Sequence, residues 1–413
     1  MPQMNRDRGY LFAQVLDPVN RPDPYPLYAR LRENPVSLQA DGTHVVSTYA
    51  EVAALLHDPR VSSDERKSDS GAGALASSGR LAPEGQAKIS PPFLFLDPPD
   101  HDRLRRLVMG HFTPALVEGM REEVGRLVDE LLYAQKDRGQ IDIVDDLAYP
   151  LPVTVICDLL GVPREDEAHF RGWATALARS LDPAQGMPEE DARQAGEAAA
   201  RMGEYLGELV KARRAAPAHD LLSGLVAGDD PGRRMGGREL ISTMIMLLVA
   251  GHETSVNLIA NGTLGLLRNP DVLERLRREP ELEITLVEEV QRYDPPVQFR
   301  TRTTLTDVEV AGVTVPKGAP VVLLLASGSR DPARFSDADR FVPDRGDNQH
   351  LGFGGGIHYC VGAPLARVEA QVALGTLARR LVAPRLVADP PPYRDNASLR
   401  GPEHLFVEFD RVR

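Results

Sequence analysis

The longest apolar helical pattern of the chain lies between Arg238 and Arg268, and it limits the folds that the chain can adopt. At 1.5 Å per residue, about 31 residues form a helix of about 46 Å, long enough to cross a whole domain. The apolar run Leu240–Val249 contains Ser242 and Thr243 and is too short to span a bilayer. We therefore predict a central core helix over residues 238–268, with other helices packed around it.

The rest of the chain is predicted to be helical in its middle and to contain short strands near its end. Helical periodicity covers most of Asp100–Pro280, including one long helix from Thr113 to Gln135, whereas short strand patterns follow Thr301. The sequence thus predicts a single mainly α domain over residues 1–413 with a small β region. A segment rich in Ser, Gly and Ala at 62–95 reads as a mobile loop or lid, or as a disordered insertion.

Composition excludes several classes of protein. With 413 residues, 42% hydrophobic and 26% charged, the chain can bury a sizeable core. A net charge of −12 argues against nucleic acid or an anionic membrane as the main partner. Only two cysteines, Cys157 and Cys360, are present, which indicates no disulfide framework and fits a reducing cytoplasm. Met1–Val19 has no apolar run, so we expect neither a signal peptide nor a membrane anchor.

The segment Phe353–Gly362, with the sequence FGGGIHYCVG, carries the most chemical information. Its glycine spacing does not fit the G-x-G-x-x-G loop that binds dinucleotides. His350, His358 and Cys360 could contribute to a zinc site, but no second Cys or His pair lies at ligand spacing. A nucleophilic cysteine with His358 as its base stays open as a minor alternative.

The same segment is suited to hold a thiolate close to a large flat ligand. Glycines let the backbone turn tightly and approach another surface without a side chain between them. Cys360 precedes Gly362, Ala363 and Pro364, where a helix is predicted to begin. The amides and the dipole of a helix N-terminus stabilise a thiolate, and Phe353 could shield the sulfur from water.

The segment resembles the haem-binding signature of the cytochrome P450 family, with matches at Phe353, Gly354, Gly356, His358, Cys360 and Gly362. The resemblance covers essentially the whole chain and implies the family fold, a triangular, mainly helical prism around haem b with a small β region. Residues 351–362 would form the ligand loop, and the Cys360 thiolate would bind the haem iron and favour O–O cleavage.

A second motif, Ala250-Gly251-His252-Glu253-Thr254, lies inside the predicted central helix. Alone it is weak, because a helical threonine more often bonds to the carbonyl four residues before it. Helical spacing is expected to place five residues on one face: Met246, Ala250, Glu253, Thr254 and Asn257. The resemblance implies an acid–alcohol pair beside the haem, in which Thr254 donates a hydrogen bond during oxygen activation and Glu253 relays protons through water.

The resemblance also assigns cations to the two haem propionates. The four implied residues are His101, Arg105, Arg302 and His358. Each of them alone is more often a solvated surface residue. Arg300 is a rival for Arg302, and the alignment of the strand that follows favours Arg302.

Glu289-x-x-Arg292 resembles part of the family's buried ion triad, and Arg345 supplies the third member. The spacing itself is common on helix surfaces, where such pairs contribute little to stability. What selects Glu289 is its position between the central helix and the cysteine loop. Its implied role is structural.

The implied function is that of a haem-thiolate monooxygenase that inserts one atom of O₂ into a medium-sized hydrophobic substrate such as a polyketide, macrolide, terpene or steroid. The candidate pocket residues, nearly all apolar, are Phe93, Leu94, Met246, Leu247, Ala250, Val297 and Phe299. For each of them, plain core packing is the alternative. The alternative functions are a peroxygenase that uses H₂O₂ and a haem-binding domain without catalytic activity.

The resemblance further implies that electrons come from a separate ferredoxin and its reductase, because no flavin-like or ferredoxin-like segment is fused to the chain. We expect the ferredoxin to dock on the Cys360 side through Arg103 and Arg106. We further expect the protein to be a monomer in the cytoplasm, with neither nucleic acid nor a membrane as partner.

Overall fold

The computed structural model describes residues 10–69, 90–182, 189–227 and 235–413. These ranges contain α-helices α1 to α15, which are Leu11–Leu16, Tyr25–Arg32, Tyr49–His57, Asp100–Met109, Pro114–Gly119, Arg121–Tyr133, Pro150–Leu160, Glu167–Arg179, Glu189–Ala215, Leu221–Val226, Gly237–Arg268, Pro270–Arg278, Leu282–Tyr293, Leu325–Ser329 and Ala363–Arg380. They also contain strands β1 to β12, which are Val36–Leu38, His44–Val46, Val61–Ser62, Gln140–Asp142, Arg300–Thr304, Val308–Val310, Val313–Val315, Pro320–Leu323, Leu381–Val382, Arg385–Leu386, Phe406–Glu408 and Arg411–Val412. The chain is therefore mainly α with a small β region, as predicted.

The central helix α11 spans Gly237–Arg268, within one residue of the predicted bounds. The Glu239 carboxylate accepts a hydrogen bond from the Gly236 N–H at 2.8 Å, which caps the first turn. Helix α11 packs against α7, α8, α9, α13 and α15. It is long and apolar enough to cross a membrane, but 72% of its most apolar window is buried inside the protein. That burial is typical of a core helix.

The largest described sheet has the strand order β1-β2-β8-β5-β3. Strands β2 and β8 are parallel, whereas β5 pairs antiparallel with β8, so that Arg300 lies opposite Leu323 and Arg302 opposite Val321. Because alternate residues of a strand share a face, both arginines belong to the same side of β5. This sheet thereby brings two cations to the region of the candidate site.

The predicted helix from Thr113 to Gln135 is wrong in one respect, since it is divided into α5 and α6 at Met120. Gly119 ends α5, and glycine is a poor helix former, so the chain can change direction there. Residues 70–89 of the predicted lid lie outside the described residues. Its described ends form β3 and short 3₁₀ turns at Glu65–Lys67 and Phe93–Phe95.

Candidate active site

A large cavity lies between helix α11 and the loop that carries Cys360. Its volume is about 1690 Å³, counting the part that is open to solvent. All seven predicted substrate residues line it: Phe93, Leu94, Met246, Leu247, Ala250, Val297 and Phe299.

The cysteine loop reaches its shape through two glycines with positive φ angles, Gly354 at 72° and Gly356 at 61°. A Cβ atom on Gly356 would collide with the carbonyl oxygen of Leu56, so the loop can lie this close to α3 only with glycine there. The Cys360 N–H donates to the Phe353 carbonyl at 3.0 Å, which closes the loop on itself. The predicted members Phe353, Gly354, Cys360 and Gly362 all line the cavity.

The Cys360 side chain opens into the cavity and is therefore exposed, although protein surrounds it on the other sides. Burial raises the pKa of the Cys360 thiol, while the N–H of Gly362 and the charges of Arg300 and Arg105 oppose this effect. Helix α15 begins at Ala363, directly after Gly362, so its N-terminus also faces the sulfur region. A positive centre bound to the sulfur would complete the stabilisation of a thiolate.

The four residues predicted to hold propionates lie close together. The His101 and His358 rings have centroids 4.4 Å apart, and the Nε2 atom of each is buried without a hydrogen-bond partner among the described residues. Burial and the nearby charges of Arg302, His101 and Arg105 lower the pKa of His358 to about 3. Arg105 and Arg302 line the cavity, and they donate to the backbone carbonyls of Tyr359 and Thr301, respectively.

Haem b fits these residues. A cysteine sulfur opens into the cavity, while glycine and alanine leave room beside α11 at Gly251 and Ala250. The two arginines supply positive charge and the two orphaned imidazole nitrogens can supply hydrogen bonds; together they form a cationic cluster at one edge of the cavity, which is the chemistry that two carboxylates require. Cys360 would hold the iron, and the cluster would hold the propionates.

Helix α11 presents Met246, Ala250 and Thr254 to the cavity, as expected from their spacing. The Thr254 Oγ1 atom donates to the Ala250 carbonyl at 2.7 Å, so the hydroxyl is bonded back to its own helix. The prediction of a single shared face is wrong for Glu253 and Asn257, since neither lines the cavity. The Glu253 side chain is directed to Thr175 and Arg394, and the Asn257 side chain lies against Gly401.

Glu253 belongs to a buried ionic cluster. One carboxylate oxygen accepts from Arg394 Nη1 at 2.6 Å, and the other accepts from Thr175 Oγ1 at 3.1 Å and lies 3.4 Å from His252 Nε2. Burial alone would raise the pKa of Glu253, but His252, Arg394 and Thr175 lower it to about 2. Glu253 is therefore a carboxylate at neutral pH, and it is held one side chain away from the cavity.

Glu289, Arg292 and Arg345 meet in the protein interior. Arg292 makes two hydrogen bonds of 2.8 Å to the Glu289 carboxylate, and Arg345 Nε lies 3.5 Å from the same group. The Arg292 guanidinium also donates to the backbone carbonyls of Ser329, Ala338 and Arg340. These hydrogen bonds hold the chain that precedes the cysteine loop. That the three residues act together as a structural triad stays a prediction.

Sequence reasoning missed some polar groups that line or approach the cavity. Glu65 accepts from Thr301 Oγ1 at 2.7 Å, and Glu369 lies on α15 in the cavity wall. Burial raises the pKa of Glu369 to about 8, with Ser255 opposing the shift. Lone acidic residues in helices give no sequence signal for such positions. Arg394, the partner of Glu253, lies 141 residues from it in sequence and could not be paired with it by spacing.

One residue of the expected ferredoxin surface is engaged within the protein. Arg103 forms ion pairs with Glu239 and, at 3.9 Å, with Asp100. Arg106 on the same helix is exposed. Of the two arginines, Arg106 is therefore the one with a guanidinium free to meet a partner among the described residues.

Comparison with known proteins gives consistent matches. Residues 85–409 match the family model described as Cytochrome P450. The chain is 41% identical over 404 residues to the cytochrome P450 monooxygenase PikC of Streptomyces venezuelae, which covers 95% of this chain and 92% of that protein. It is 39% identical over 396 residues to 6-deoxyerythronolide B hydroxylase of Saccharopolyspora erythraea, covering 94% and 96%.

Solved structures are similar over the same length. The ligand-free crystal structure of Mycobacterium smegmatis CYP164A2 superposes with a TM-score of 0.89 at 42% identity, covering 97% of this chain and 100% of that chain. The fold of the described elements is thus shared from end to end with a protein of similar length.

Proposed function

Since the chain belongs to the cytochrome P450 family, we propose that it hydroxylates a medium-sized hydrophobic molecule with electrons delivered by a separate ferredoxin. The chain is a haem-thiolate monooxygenase, its cofactor is haem b, and Cys360 is the axial ligand. The predictions of family, fold and cofactor are confirmed. When bound, haem b supplies the iron at which O₂ is activated.

The observation that carries the proposal is the placement of Cys360 and Thr254 in the walls of one cavity. The Cys360 sulfur lines it from the glycine loop, and the Thr254 hydroxyl lines it from helix α11. The remaining lining is mostly apolar, including Phe93, Met246 and Leu247. A hydrophobic substrate in this cavity would exclude water from the reacting region.

The Thr254 hydroxyl is the proton donor that we assign to oxygen activation. It must leave the Ala250 carbonyl to do so, which exchanges one hydrogen bond for another. Glu253 would supply protons from its buried ionic cluster beside α11, and this requires its contact with Arg394 to open. With a pKa of about 2, Glu253 is ionised at neutral pH in this arrangement, so relaying a proton requires its contacts with His252 and Arg394 to open and its pKa to rise.

The substrate is proposed to be a bulky hydrophobic compound made in secondary metabolism. The support is the apolar lining, together with the similarity to an enzyme named for hydroxylating 6-deoxyerythronolide B. The ferredoxin is proposed to dock on the Cys360 side of the protein, where Ile357 and Tyr359 are 50% and 39% exposed. Arg106 is exposed near this surface, because Arg105, its neighbour on helix α4, donates to the Tyr359 carbonyl. We place the protein in the cytoplasm as a monomer.

Spectroscopy tests the assignment of the iron ligand, and the requirement for an electron donor tests the proposed reaction. The ferrous–CO complex should show the strongly red-shifted Soret band of thiolate ligation, and Cys360→His should lose both this band and oxygenase activity. Cys157→Ser is the matched control, because burial raises the pKa of Cys157 to about 12 and the residue lies away from the cavity lining.

Turnover should require ferredoxin, its reductase and NADPH together. Retention of the band in Cys360→His would refute the assignment of the ligand. Equal product formation with H₂O₂ alone would show that the protein acts as a peroxygenase and not as a monooxygenase.

A further inference from the structure

The cavity contains one more arginine than the two haem propionates require. Its charged lining residues are Glu65, Arg105, Arg300, Arg302 and Glu369. Arg105 and Arg302 stand with His101 and His358 in the cationic cluster described above, which already gives two donors for each propionate. Arg300 adds a further cation in the same wall, and its charge acts on Arg302 and on Cys360.

The Arg300 guanidinium has no partner of its own among the described residues. No hydrogen bond or ion pair joins it to any residue that the structure describes, although its side chain lines the cavity. Cys360 and then Glu65 are the acidic groups whose charges act on it, yet neither forms an ion pair with Arg300, and the Glu65 carboxylate accepts from Thr301. Arg300 is only partly exposed, and a guanidinium that loses much of its water without gaining a partner is unfavourable, so its position in this wall points to a ligand with negative charge.

Strand β5 sets the distance between the two arginines. Arg300 and Arg302 lie on the same side of the strand and are two residues apart, which corresponds to a separation of about 7 Å between their Cα atoms. That distance allows each guanidinium to bind a different carboxylate. Arg300 is also nearer in sequence to Val297 and Phe299, which belong to the apolar part of the lining.

We propose that Arg300 binds the carboxylate of a substrate that is otherwise hydrophobic. The planar guanidinium can hold a carboxylate through two parallel hydrogen bonds, which fixes the direction of the attached apolar chain. Arg300 would thus determine which carbon of an acidic substrate is presented for hydroxylation. This inference rests on the proposed function, because it assumes that a substrate shares the cavity with haem b.

The test compares acids with alcohols of the same length on the haem-loaded protein. Decanoic and tetradecanoic acids and the matching primary alcohols are titrated, and the dissociation constants are read from the substrate-induced shift of the Soret band. In the wild type we expect the acids to bind about 10- to 100-fold more tightly than the alcohols, the range of a charge-assisted hydrogen bond.

Arg300→Gln should remove most of this preference by weakening the acids alone, and Arg300→Lys should restore part of it. Arg302→Gln is the matched control from the same side of β5. It should lower haem retention and leave the ratio of acid to alcohol binding unchanged.

Three outcomes would overturn the proposal. One is a wild type that binds the alcohols as tightly as the acids, or that binds no acid of the series. Another is an unchanged ratio in Arg300→Gln. The third is a loss of haem from Arg300→Gln with the ratio preserved, which would make Arg300 a propionate ligand. Failure of the proposed function itself is separate, because it would appear as a missing thiolate band in the ferrous–CO complex before any acid is added.

Discussion

Replacing Glu369 by Gln should make the stability of this protein less sensitive to pH. The Glu369 side chain is 1% exposed, and among the described residues only Ser255 opposes the effect of its burial. Burial therefore raises the pKa of Glu369 from 4.5 to about 8. A glutamine has nearly the shape of the protonated acid but does not titrate.

The sign and size of the effect follow from proton linkage. A carboxyl group whose pKa is higher in the folded state binds its proton more tightly there, so the wild type loses stability as the pH rises from 4.5 towards about 8. About 3.5 pH units at about 1.36 kcal/mol each give an upper limit of about 5 kcal/mol. We expect the free energy of unfolding of Glu369→Gln, relative to wild type, to increase by about 2–5 kcal/mol between pH 5 and pH 8 and then to level off.

Urea unfolding of the haem-loaded protein, followed by far-ultraviolet circular dichroism at pH 5, 6, 7 and 8, measures this difference. Glu208→Gln is the control, because Glu208 is 75% exposed and only pairs with Lys211 on the surface. Its difference from wild type should be small and equal at each pH. A difference for Glu369→Gln that does not change with pH, or that decreases as the pH rises, would refute the reasoning.

Two further predictions concern residues of the site and its support. Thr254→Ala should keep haem content and substrate binding but convert several-fold less of the consumed reductant into product, because the cavity loses its positioned hydroxyl. The amount of product formed per NADPH oxidised measures this effect. A variant that forms as much product per NADPH as the wild type would contradict the assigned role. Arg292→Ala should lower stability by about 3–5 kcal/mol, because it leaves the Glu289 carboxylate buried without its main partner. Thermal unfolding and haem content test this second variant, with the exposed Arg193→Ala as control, and a stability equal to wild type would rule out a supporting role.

The central helix and the cysteine loop could be predicted because local sequence determines them. The apolar pattern of α11 predicted its bounds to within one residue, and the two glycines with positive φ lie inside the recognised motif. Local spacing could not predict the orientation of Glu253. Its side chain is directed by Arg394 and Thr175, which approach from distant parts of the chain, and long-range ion pairs leave no periodic signal.

The cations of the site illustrate the same limit. Arg300 and Arg302 are two residues apart in strand β5, so alternation cannot distinguish them, and from the sequence either could bind a haem propionate. The structure shows both in the cavity wall, where the charge of Arg302 acts on His358 and that of Arg300 acts on Cys360. Which partner each arginine meets depends on β5 packing beside the cysteine loop, and strand propensity contains no information about that.

Arg292 has a further consequence for how this sequence can diverge. Its guanidinium donates to the backbone carbonyls at 329, 338 and 340. These three hydrogen bonds do not depend on which side chains those positions carry, whereas Arg330 and Asp331 hold the stretch through their own side chains. Positions 338 and 340 can therefore change without loss of the path that Arg292 imposes, while Arg330 and Asp331 are expected to vary less.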